Sequence, residues 1–105
     1  MAATKSYTAQ LLALYLLVSS IGRSSLALSD LAGLGEAAHA TLQERTAVAA
    51  VAARYRFATR LITTARGISD ATAREGALKL MENSHIGAQA FSGADLLNGP
   101  MAMIR

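Results

Sequence analysis

The chain has 105 residues, enough for one small domain. It is 52% hydrophobic with a formal charge of +3, a balance that supports a packed core and excludes an intrinsically disordered polypeptide. It has no cysteine, so it can hold neither a disulfide framework nor a thiolate metal site, in keeping with a cytoplasmic protein. The basic residues are spread along the chain. Arg54, Arg56, Arg60 and Arg66 form the densest group, and no aromatic ladder accompanies them. The expected partners therefore do not include nucleic acid.

Lys5, the apolar residues 11–18 and the small-residue site Ser25-Leu26-Ala27 trace the outline of a signal peptide. The run is too short to span a membrane, which takes about 20 apolar residues, and no membrane partner is expected. Ser6, Thr8 and Gln10 are also more polar than the edge of a signal core. The stretch instead reads as a helix capped by Thr4 or Ser6 and stopped at Gly22. Leu11, Leu12, Leu14, Tyr15, Leu16, Leu17 and Val18 wrap nearly all the way round it. A helix apolar on every face belongs inside a larger body.

Residues 23–28 are a polar, small-residue connection. Ser29 or Asp30 then caps a second helix to about Arg45, with Gly33 and Gly35 weakening its first turns. Leu31, Leu34, Ala38 and Leu42 form its apolar stripe. A third, alanine-rich helix covers residues 46–55. His39 has only Ala38 and Ala40 beside it, so it reads as a surface or half-buried helix histidine and not as a ligand.

The pattern changes at residue 57. Residues 57–65 (FATRLITTA) carry the β-branched Thr59, Ile62, Thr63 and Thr64 of a strand. Arg66-Gly67 breaks the strand and Ser69-Asp70 opens a helix. A strand, a glycine turn and a helix form the unit that sets a helix N-terminus beside a ligand at the carboxyl edge of a parallel sheet. The turn lacks the repeated glycines of a dinucleotide fingerprint, so no nucleotide cofactor is expected. Residues 85–91 (HIGAQAF) are a second strand, with His85 at its edge. Ser92-Gly93-Ala94-Asp95 has capping-box form with Asp in place of Glu or Gln, and a short helix through Leu97 stops at Asn98-Gly99-Pro100. Residues 101–104 begin a third strand. Strands alternating with helices through short turns call for parallel pairing and right-handed crossovers.

On the helix between the first two strands, Glu75, Lys79 and Glu82 share one face at i, i+4 and i+7. Ala77, Leu78, Leu80 and Met81 supply most of the apolar surface around them. Spacing alone leaves two readings open. One is a solvated ion-pair stripe, in which an exposed Glu–Lys pair contributes only about 0.2–0.5 kcal/mol. The other sets Glu82 in a pocket as a general base, its pKa raised by burial.

Three stretches together carry a resemblance: T-K-x-x-T-x-Q-L at residues 4–11, Arg66-Gly67, and REGALKLMENSHIGAQAFSGADLLNGP at residues 74–100. In this order and spacing they resemble the sugar isomerase (SIS) domain family, above all the isomerase half of glucosamine-6-phosphate synthase and the glucosamine-6-phosphate deaminases. The resemblance implies a helix-rich α/β fold, an incomplete flavodoxin-like lobe with about three short parallel strands and flanking helices. Residues 1–28 would close a first lobe, 29–56 would form a helical linker, and 57–105 would form the first half of a second lobe. It implies a phosphosugar ligand such as glucosamine 6-phosphate, with no metal and no organic cofactor. Glu82 falls where the family keeps the glutamate that moves a proton between sugar C1 and C2. Glu75 and Lys79 match positions that line the substrate.

Two positions depart from the family. Asn98 stands where the family has the ring-opening histidine of H-G-P, and Gln89 where relatives often have glutamate. Asparagine can still hydrogen-bond to a substrate but cannot carry a proton near neutral pH. The Ser/Thr-rich phosphate loop S-x-S-G-x-T does not occur in the 105 residues. The chain therefore reads as an internal slice, from a frame that opens upstream of Met1 or from a truncated gene, and as inactive alone. Half a lobe with open sheet edges and an all-round apolar helix is expected to self-associate into a homo-oligomer. The alternative is a non-catalytic sugar-phosphate binding or oligomerisation module.

Overall fold

A computed structural model describes residues 2–22 and 28–104. The chain divides into two compact units, Lys5–Phe57 and Ala58–Arg105, the latter grouped with the first four residues.

The first unit is helical. Helix α1 covers Ser6–Ser20. Its N-cap residue is Lys5, with no side-chain cap bond, in place of the expected Thr4 or Ser6. Lys5 is already helical (φ −102°, ψ −17°), whereas a capping side chain needs an extended backbone beneath it. The helix closes as expected at Gly22, whose φ of 70° lies in the left-handed region. None of its residues is buried, and Leu14, Leu17 and Ile21 just beyond it are more than half exposed. The connection read at residues 23–28, and with it Ser25-Leu26-Ala27, lies outside the described residues except for Leu28.

A 3-10 turn, Leu28–Leu31, follows. The Tyr15 hydroxyl donates to Asp30 Oδ2 at 3.0 Å and ties this turn to α1. Helix α2 (Leu34–Gln43) begins after Gly33, not at Ser29 or Asp30. Gly33 has φ 81°, a left-handed conformation that costs glycine little, so it forms the entry to the helix and not a weak first turn. Helix α3 (Arg45–Arg54) shares Glu44 with α2 as the joint between them. His39 is exposed on α2, with the Gln43 amide 3.3 Å from its Nε2.

The second unit is a strand–helix–strand unit. Strand β1 is Arg60–Ala65, helix α4 is Asp70–Ser84 and strand β2 is Gly87–Ser92. The strands pair in parallel from Arg60 opposite Gly87 to Ala65 opposite Ser92. This register sets the ends of the strands: residues 57–59 lie outside β1. Gly67 (φ 59°) makes the turn between β1 and α4, a backbone conformation that disfavours a side chain. Helix α4 packs on both strands. Ala73, Gly76, Ala77 and Leu80, spaced at i, i+3, i+4 and i+7, are half-buried or buried on it. Ala77, at 3% exposure, is the one buried residue among those described. The Thr63 hydroxyl donates to the Ala73 carbonyl at 2.7 Å, joining β1 to α4 by a part-buried hydrogen bond.

Helix α5 (Gly93–Leu97) follows β2 directly. Two expectations are corrected in this unit. His85 is not a strand-edge residue: it closes α4 with φ 54°, a left-handed position more often filled by glycine or asparagine. Residues 100–104 are not a third strand but a 3-10 helix, Pro100–Ile104, in which Ala102 N–H donates to Gly99 at 3.1 Å. The proline ring holds φ near −65°, within the 3-10 range, and a strand exists only where a partner ladder accepts it. The sheet among the described residues therefore has two strands. An open trough of about 650 Å³ lies beside them, lined by Ile62, Leu96, Met103 and Ile104 with Arg60 and Gln89.

Candidate functional site

Helix α4 brings together three of the four expected site residues. Lys79 Nζ lies 2.7 Å from Glu82 Oε2 and 3.3 Å from Glu75 Oε1. One ammonium thus bridges two carboxylates, one a turn before it and one a turn after. This is the geometry that i, i+3 and i+4 spacing provides. Lys79 lies two residues, about 200° of helical turn, from the buried Ala77. The side chains are nonetheless partly covered: Glu75 and Lys79 keep 23% and 24% of their exposure and Glu82 keeps 36%. The hydrogen bond to Glu82 pushes the Lys79 ammonium above its ordinary value. Partial desolvation opposes the rise, and the bond to Glu75 and the two carboxylate charges add to it. The cluster carries one positive and two negative formal charges.

Asn98 is separate from this group. It is the exposed C-cap of α5, its backbone N–H donating to the Asp95 carbonyl at 3.1 Å. Among the described residues no hydrogen bond joins it to Glu75, Lys79 or Glu82. Gln89 is exposed on β2.

The cap ahead of Asn98 has half of the expected box. Ser92 Oγ accepts from Asp95 N–H at 3.1 Å, as an N-cap serine does. The Asp95 carboxylate accepts from the Ser92 hydroxyl at 2.7 Å, because aspartate is one methylene shorter than the glutamate that reaches the N-cap backbone.

Two contacts near the site were not read from the sequence. Arg74 Nε donates to Asp70 Oδ2 at 2.8 Å across the first turns of α4. This bond, with the Asp70 charge, raises the Arg74 pKa. The i, i+4 spacing of the two residues was the available signal. The second is the bond from Thr63 to Ala73, which has no local signature, because its partners meet only when α4 folds onto β1. No group of three or more His, Cys, Asp or Glu among the described residues could hold a metal ion. No helix among them is long and apolar enough to cross a membrane.

The comparisons with known proteins bear on this helix. Glutamine–fructose-6-phosphate aminotransferase [isomerizing] of Thermus thermophilus is 37% identical over 112 aligned residues, covering 98% of this chain. The enzymes of the same name from Clostridium acetobutylicum and Methanothermobacter thermautotrophicus are 35% and 33% identical over the same share of the chain. The chain is related to these enzymes over nearly its whole length. It spans only 17–18% of their length. No protein-family model matches the chain, and no solved structure does. The helix-rich architecture with a small parallel sheet is that of an incomplete α/β lobe, as the SIS resemblance implied. The alignment extends across both units, so the relationship does not rest on the α4 motif alone.

Proposed function

We propose that this SIS-type segment contributes the acid–base wall of a phosphosugar site, in a protein that interconverts aldose and ketose forms of an amino-sugar phosphate or deaminates it. The observation that carries this reading is the bridge from Lys79 to Glu75 and Glu82, in a chain that aligns over 98% of its length with an isomerizing aminotransferase. Glu82 would take a proton from one of the two carbons C1 and C2 of the open-chain sugar and return it to the other. Lys79 and Glu75 would hold Glu82 in place and meet the substrate hydroxyls, and Asn98 would offer its amide to the ligand. The phosphate would be held by a loop outside these 105 residues, and the chain alone is expected to show no turnover. The site would be completed by association, with a second copy as the simplest partner.

The test is Glu82→Gln in the protein that contains this segment together with a phosphate-binding loop. Placed proton transfer is worth typically about 10²–10⁴ in rate, so isomerase or deaminase turnover should fall by that factor while the circular dichroism spectrum is unchanged. Turnover within twofold of the parent would remove Glu82 from the reaction. The second reading is a non-catalytic binding or oligomerisation module, which Asn98 favours because an amide cannot replace a proton-carrying histidine. A thermal shift with glucosamine 6-phosphate, without turnover of that sugar, would select it.

A further inference from the structure

We draw no further inference here: the strongest candidate, the open apolar trough beside strands β1 and β2 with Arg60 and Gln89 at its lining, carries none because nothing in the structure shows what covers it.

Discussion

Replacing Thr63 with valine removes one hydroxyl and leaves the shape of the side chain nearly unchanged. In the parent, that hydroxyl donates to the Ala73 carbonyl at 2.7 Å from a part-buried position. It forms a side-chain bond between β1 and the helix that carries Glu75, Lys79 and Glu82. A neutral hydrogen bond within a protein contributes about 0.5–1.5 kcal/mol net. The Ala73 carbonyl keeps its partner within α4, the N–H four residues on, so the substitution orphans no acceptor. Valine also suits a strand at least as well as threonine. The expected cost therefore lies in the lower half of the range, about 0.5–1 kcal/mol. For a domain of this size that lowers the melting temperature by roughly 2–8 °C. Parallel urea and thermal melts of the two chains, followed by far-ultraviolet circular dichroism, measure it. Amide exchange in α4 should quicken, while the titration of Lys79 stays where it was, because its partners lie on its own helix. A Thr63→Val chain as stable as the parent, with unchanged exchange in α4, would refute the claim that this bond holds the helix to the sheet.

Other expectations follow from single contacts. Lys79 should titrate above the ordinary lysine value of 10.5, and Glu82→Gln should bring it back down, since the Glu82 bond is the main cause of the rise. Because the folded-state pKa is the higher one, the stabilisation from this network is intact below 10.5 and is lost as the pH rises through the folded value. Side-chain nitrogen NMR of Lys79 measures the shift, and an unmoved Lys79 in the Glu82→Gln chain would count against the bridge. Ser92→Ala should cost about 1 kcal/mol by removing the cap of α5, and Ser92→Gly only a few tenths; equal losses in denaturant melts would contradict a capping role. His85→Gly should stabilise the chain by about 1 kcal/mol, because φ 54° strains a side chain but not glycine. Gly76→Ala should stabilise α4 by about 0.5–1 kcal/mol. The new Cβ would meet only Thr63 Cγ2, at 3.9 Å, and a loss of stability would show the helix to be packed more tightly than that.

What the sequence alone determined lies within single helices and single turns. The clustering of Glu75, Lys79 and Glu82 follows from helical periodicity, which needs no tertiary partner. The turn at Gly67, the stop at Gly22 and the Ser92 cap are likewise set by the conformational limits of a few neighbouring residues. Parallel pairing of β1 with β2 was also legible, because a helix between two strands leaves the chain no short antiparallel return. Tertiary structure decided what depends on a distant partner. β1 begins at Arg60 because that residue pairs with Gly87. The apolar residues after Pro100 read as a strand by composition, yet they form a 3-10 helix. Thr63 finds Ala73 only when α4 lies on the sheet. The SIS motif named the three α4 residues, but only the folded helix shows one ammonium shared between two carboxylates. Periodicity puts those groups within reach of one another. Which rotamers they take, and so which bonds they form, depends on the space the folded chain leaves around them.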